Sequence, residues 1–140
     1  MSELGCPTCR FGVEHPVARL SAATLGVFSD ARLPGRCVLV LDTHEEHFEA
    51  LAPELAARFI ADATRAARAI RGVTGAGRIN YALLANQVNH LHLHLFPRGG
   101  PDDPNPRVSP WELELPEPPL PPERIATLQA ELARALESGS

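Results

Sequence analysis

Three histidines alternate with three leucines in Asn89-His90-Leu91-His92-Leu93-His94-Leu95-Phe96-Pro97-Arg98. An extended strand sends successive side chains to opposite faces. His90, His92 and His94 therefore share one face, and Leu91, Leu93 and Leu95 share the other. The leucine face suits a core. The histidine face suits chemistry, because a buried imidazole needs a partner and a neutral one is a nucleophile, a proton donor or a metal ligand. A rise of ~3.3 Å per residue sets neighbouring histidines roughly 7 Å apart and the outer two roughly 13 Å apart. One metal can bind two neighbours on such a strand, but not all three without bending it. Alternation over seven residues is the wrong period for a helix.

A second candidate site lies in Cys6-Pro7-Thr8-Cys9. Two thiolates at this spacing can hold one side of a tetrahedral zinc. The chain has no second such pair, so a zinc here must recruit histidine. The rival is a thioredoxin-like redox pair, but no βαβ pattern surrounds it. With Cys37 the cysteines number three, which argues against a disulfide scaffold and for a reducing, cytoplasmic setting. Cys37 itself reads as a small core residue.

The chain that must position these groups has 140 residues, enough for one domain with a core. No apolar run approaches a membrane span, and the N-terminus lacks a signal-peptide pattern. A net charge of −4 with no basic block points away from double-stranded nucleic acid. A small anionic ligand in a local pocket remains compatible with that charge.

Val17 to Leu20 and Thr24 to Ser29 read as strands. Asp30 to Gly35 reads as a turn, and the apolar run Cys37 to Leu41 as a buried strand. Asp42 or Thr43 can cap a short helical turn running to Leu51. A long helix starts near Pro53 and stops around Gly72. Its buried stripe is Leu55, Phe59, Ala63, Ala67 and Ile70, with Ile60 alongside. Arg58, Asp62, Arg65 and Arg68 fall outside the stripe as a solvated face. Arg78 to Ala85 is a further strand, and Asn86 to Asn89 connects it to the histidine strand, which Pro97 ends. Ten of the 14 prolines lie between Pro97 and Pro122, in an extended stretch anchored by Trp111. A last helix begins at Pro122 and buries Ile125, Leu128, Leu132 and Leu136. The order of segments predicts an α+β domain: an antiparallel sheet of about five strands with the long helix on one face. The Cys37 strand and the histidine strand should be central in it.

The histidine strand, together with Gly35-Arg-Cys-Val-Leu-Val-Leu-Asp-Thr-His44, resembles the histidine triad (HIT) family of nucleotide hydrolases and transferases. Cys6-Pro-Thr-Cys9 looks like the family's zinc-binding bacterial branch. The stretch from Asn80 to Arg98, with Asp102-Asp103-Pro104 and Trp111, looks like members labelled diadenosine polyphosphate hydrolases. The likeness covers roughly residues 6 to 111 of a single 1–140 domain whose C-terminal helix spans about 122–137. It implies a cytoplasmic homodimer that attacks the α-phosphate of a dinucleoside polyphosphate or nucleoside phosphoramidate. His92 would be the nucleophile, forming a nucleotidyl-histidine that water resolves to a nucleoside monophosphate. His94, as an imidazolium, would stabilise the developing charge. Cys6, Cys9, His44 and His90 would hold a structural zinc, with His47 and His15 as spare surface histidines. A divalent cation would accompany the nucleotide. Asp30 resembles the ribose-binding acidic residue. Asn80, Gln87 and Asn89 are candidate donors to phosphate oxygens. The chain departs from the pattern at Arg36, where many members carry a histidine next to the phosphate; an arginine cannot act as a base at neutral pH. Two other readings compete: a metallohydrolase with His90 and His92 on a catalytic metal, and a nucleotide-binding protein with weakened chemistry.

Overall fold

A computed structural model of the chain describes residues 5–113 and 118–139. Five strands, β1 (Pro16–Arg19), β2 (Ala23–Val27), β3 (Cys37–Leu41), β4 (Arg78–Ala82) and β5 (His92–Arg98), form one antiparallel sheet in the order β1-β2-β3-β5-β4. Helices α1 (Pro53–Thr74) and α2 (Pro122–Ser138) both pack on the same face of that sheet. Short 3-10 turns occupy Phe48–Ala50 and Pro110–Glu112. Part of the proline-rich stretch, residues 114–117, lies outside the described residues.

The unbroken apolar run of β3 has a simple cause: both of its faces are covered. Cys37, Leu39 and Leu41 join the main core under the helices. Val38 and Val40 face the other way and meet Val13 and Phe11 of the N-terminal arm. Strand β5 lies beside β3 in the register Val40↔His92, Leu39↔Leu93 and Val38↔His94. Leu91, Leu93 and Leu95 therefore enter the main core, and the histidines are left on the sheet face opposite the helices.

Several elements differ from the sequence expectation at their ends: β1 is shifted back by one residue, β2 stops at Val27 rather than Ser29, and the histidine strand starts at His92, with His90 just before it. Gly72 does not end α1; the helix runs to Thr74 and stops at Gly75, whose φ of 75° closes the last turn in the left-handed region. Pro97 does not end β5, because β3 pairs only as far as Leu95. Beyond that point Pro97 faces β4 alone, where its missing N–H costs no ladder bond. Strand β4 stops at Ala82 rather than Ala85, and Ala85 turns the chain with a φ of 56°. The turn towards Leu51 is reduced to the three residues Phe48–Ala50.

On α1, Phe59, Ala63, Ala67 and Ile70 are buried, while Ile60 is exposed. Asp62, expected on the solvated face, is buried. Its carboxylate accepts the Ser21 N–H at 3.1 Å and the Ala22 N–H at 2.6 Å, closing the β1–β2 turn onto the helix. Arg58 lies on the same rim and donates to the hydroxyl and the carbonyl of Ser21. All four expected residues of α2, Ile125, Leu128, Leu132 and Leu136, are buried.

Candidate active site and metal corner

At the end of β5, the antiparallel pairing of β3 and β5 brings the residues after Leu41 against the residues before His92. The Leu41 N–H reaches the Leu91 carbonyl, and the Leu91 N–H reaches the Glu45 carbonyl. His44 and His90 meet there, ring centroids 5.2 Å apart. The N-terminal arm supplies the remaining donors. Its Cys6–Arg10 knuckle is closed by the Arg10 N–H on the Cys6 carbonyl at 2.7 Å, with Arg10 at a φ of 69°. Left-handed backbone is unusual for a side chain without local help, and here it reverses the arm so that Phe11 and Val13 lie across the sheet.

Cys6, Cys9, His44 and His90 converge so that their donor atoms all lie within 4.8 Å of one another. The sulfur–nitrogen distances are 3.5 Å for Cys6 to His44 Nδ1 and 3.4 Å for Cys9 to His90 Nδ1. Bond lengths of about 2.3 Å for zinc–sulfur and 2.0–2.1 Å for zinc–nitrogen give a tetrahedral edge of about 3.5 Å. Those two edges match a tetrahedral zinc, and two thiols with two imidazoles are the donors that such a zinc takes. The tautomer of His90 fits too: its Nε2–H donates to the Leu41 carbonyl at 2.7 Å, which leaves Nδ1 with a lone pair. Burial works against a thiolate at Cys6, but the Cys9 and Thr8 N–H groups, with His44 and Cys9 side chains, bring its pKa down to about 6. His90 uses both ring nitrogens in this corner and has none left for a metal shared with His92. His15 and His47 stay out of it, each beside a neighbouring glutamate.

His92 comes next along the same face. Its Nδ1–H donates to the His90 carbonyl at 2.8 Å, so Nε2 carries the lone pair. Phe11 lies against the ring at a centroid distance of 5.0 Å. His94 follows, half-buried, at 5.2 Å from His92 in an edge-to-face arrangement. A guanidinium only donates, so the contact of Arg36 Nη2 with His94 Nδ1 at 3.2 Å makes Nδ1 the acceptor and puts the proton on Nε2. Burial, then the charge of Arg36, then His92, lower the His94 pKa to about 4. His94 is thus a neutral N–H donor at pH 7, which corrects the imidazolium expected from the sequence.

Arg36 and Asp30 are also placed differently from expectation. Arg36 is buried between the rings of Phe28 and Phe96, 3.8 Å and 4.3 Å from their centroids. Its Nη1 donates to Asp30 Oδ2 at 3.0 Å. Asp30 is fully buried and also receives the N–H, Nε and Nη2 of Arg32. Burial opposes its charge, but these donors hold its carboxyl below the usual carboxylate range. Both side chains are turned away from solvent, so neither offers a surface for a ribose or a phosphate. Asn80 sits in β4 and accepts from Arg98, itself buried against Asp103. Gln87 and Asn89 are exposed in the loop leading to His90. Trp111 is exposed and meets Phe96 edge-to-face, and Phe96 in turn stacks on His94.

Sequence reasoning missed Phe11, Phe28 and Phe96 as walls of the site. Phe96 was accessible, since it continues the histidine face by the same alternation. Phe11 was not, because only the knuckle brings the arm across the sheet.

A five-stranded antiparallel sheet with two helices on one face and a row of imidazoles on the other matches the fold of histidine triad proteins. The HIT domain profile matches residues 18–100, and the chain belongs to that family. No curated protein sequence matches it. Among solved structures it is similar to a histidine triad protein from Sinorhizobium meliloti 1021, with 26% identity, a TM-score of 0.77, and coverage of 86% of this chain and 88% of that one. A histidine triad protein from Marinobacter aquaeolei VT8 gives 25% identity, a TM-score of 0.74 and 90% coverage of both chains. A zinc-bound histidine triad family protein from Mycobacterium smegmatis shares the fold at 24% identity and a TM-score of 0.65, covering 89% of this chain and 87% of that one. The family's fold implies nucleotide binding or nucleotide hydrolase and transferase activity. No helix among the described residues is long and apolar enough to cross a membrane.

Proposed function

We propose that the chain hydrolyses or transfers a nucleotide at its α-phosphate through a covalent nucleotidyl-histidine on His92. The substrate class is a dinucleoside polyphosphate or a nucleoside phosphoramidate. The observation that carries this reading is the His92 Nδ1–H bond to the His90 carbonyl, which directs a neutral Nε2 lone pair out of the histidine face. Nε2 attacks the α-phosphorus and a phosphorus–nitrogen bond forms. The bond from phosphorus to the leaving group breaks, and the leaving group takes the electron pair, together with a proton from solvent where it is an amine. The ring is then an imidazolium, and the His90 carbonyl accepts its Nδ1–H and steadies the charge. Water attacks the same phosphorus, loses its proton to solvent, and releases the nucleoside monophosphate and neutral His92. His94 donates its Nε2–H to a phosphoryl oxygen and keeps its proton throughout. Gln87 and Asn89, exposed in the loop leading to His90, are further donors to the nucleotide in this reading.

Cys6, Cys9, His44 and His90 hold a structural zinc in this reading, supported by their matching distances and by the zinc-bound mycobacterial relative. The metal supplies a cross-link between the arm and the sheet. Two copies of the chain pair through the edge strand β4 and α1 in this reading, where Tyr81 of β4 and Ile60 of α1 are exposed, with Leu84 exposed just after β4. Light scattering should give the mass of a dimer at micromolar concentration. For the reaction, incubation with dinucleoside polyphosphates, phosphoramidates and aminoacyl-adenylates, read by chromatography, should release a nucleoside monophosphate. No release from any of them would refute the reading.

A further inference from the structure

We propose that Arg36 is a positioning residue for His94, fixing it as a neutral imidazole that presents Nε2–H to the reacting phosphate; this rests on the nucleotidyl-histidine reading above. Arg36 has no room to act on substrate directly. It is buried, capped on its two faces by Phe28 and Phe96, and anchored by Asp30, which Arg32 holds in turn. The planar guanidinium is thereby left in one orientation, with Nη2 aimed at His94 Nδ1 at 3.2 Å. That contact decides two things together. Nδ1 must accept, so the only ring proton is on Nε2. The adjacent positive charge also opposes a second proton on the ring.

The groups facing His94 are few. Arg36 approaches from the residue before β3, His92 lies beside it on β5, and Phe28 and Phe96 pack on the ring, which stays half-exposed. Asp30 is the nearby carboxylate, and Arg36 and Arg32 take up its charge. No carboxylate is bonded to the His94 ring among the described residues, so nothing there rewards an imidazolium.

A base at this position would exchange protons with His94. An arginine does not, so His94 contributes a fixed hydrogen bond and is not a proton relay. Two consequences distinguish this from a purely structural arginine: the tautomer of His94 and the pH at which it titrates.

The test uses the full chain with zinc bound. Nitrogen-15 correlation spectra of the wild type should show His94 as the Nε2–H tautomer, uncharged from pH 8 down to pH 5. An Nδ1–H tautomer, or a ring that gains a proton above pH 6, overturns the proposal without any variant. Arg36→Met keeps a long side chain between the two phenyl rings but removes the donor and the charge. Its His94 should titrate at a higher pH and lose the single tautomer. kcat should fall about a hundredfold, the lower end of what one fixed hydrogen-bond donor to a developing oxyanion contributes, with KM changed far less. Arg36→Gln, which keeps an N–H donor, should recover part of the tautomer preference and of kcat. If Arg36→Met does not fold, Arg36→Gln and the wild-type spectra decide. Folded variants with unchanged kcat and unchanged His94 spectra overturn the role of Arg36 and leave the proposed function standing. A wild type inactive on every nucleotide ends the proposed function, while its spectra still decide whether Arg36 fixes His94.

Discussion

Replacing Cys6 by serine removes one of the four donors that converge on the metal corner. The expected effect is on folding, and its size follows from what the corner ties down. The arm is held to the sheet by Val13, fully buried against Val38 and Val40, by the backbone bond from Val27 to His15, and by Phe11 against His90 and His92. Burial of Val13 stabilises by about 1.5–3 kcal/mol and survives the substitution. The metal linkage does not. With free zinc at about 100 to 1,000 times its dissociation constant, binding to the folded state contributes about 3–4 kcal/mol. At roughly 3 °C per kcal/mol for a domain of this size, Tm should drop by about 10 °C. Calorimetry of both proteins at matched zinc, with elemental analysis, measures this. The wild type should carry one zinc per chain and Cys6→Ser little or none. Chelated wild type should melt with the variant, and chelator should not lower the variant further. A variant that melts with the wild type and keeps its zinc would refute this ligand set.

Asp62→Ala should destabilise by about 2–3 kcal/mol in urea unfolding, because the buried Ala22 N–H and the Ser21 N–H lose their charged acceptor; a loss under 0.5 kcal/mol would contradict that role. For His94 the folded pKa of about 4 lies below the ordinary 6.5, so the unfolded chain binds more protons between those values. The stability tied to a neutral His94 is therefore complete above about pH 6.5 and is lost as pH falls towards 4. Melting of the wild type minus that of His94→Asn, followed across this window, isolates the effect from the other titrating groups, and a flat difference would count against it.

Much of the fold is visible in the sequence because single-element periodicities determine it. The alternation from Leu91 to Leu95 separates core from site, and the spacing from Leu128 to Leu136 fixes the buried face of α2. The metal corner was legible through resemblance, since no local pattern links Cys6 to His90 across more than eighty residues of chain. What stayed hidden depends on partners distant in sequence. Asp62 looks like surface charge until the β1–β2 turn is laid on α1. Asp30 looks like a free carboxylate until Arg32 and Arg36 fold onto it. His94 looks chargeable until burial and Arg36 are both in view. Pro97 breaks strands in general, but here the neighbouring strand has already ended.

In the proposed reaction His92 Nε2 is the atom that bonds to phosphorus. Rapid acid-free quenching of the wild-type reaction, followed by peptide mapping, should find an acid-labile nucleotidyl adduct on the peptide carrying His92. His92→Asn should form no adduct and show no turnover, with nucleotide binding and Tm nearly unchanged, because the amide nitrogen has no lone pair free to attack. Brisk wild-type turnover without an adduct, and a His92→Asn variant that keeps most of its activity, would contradict the covalent mechanism.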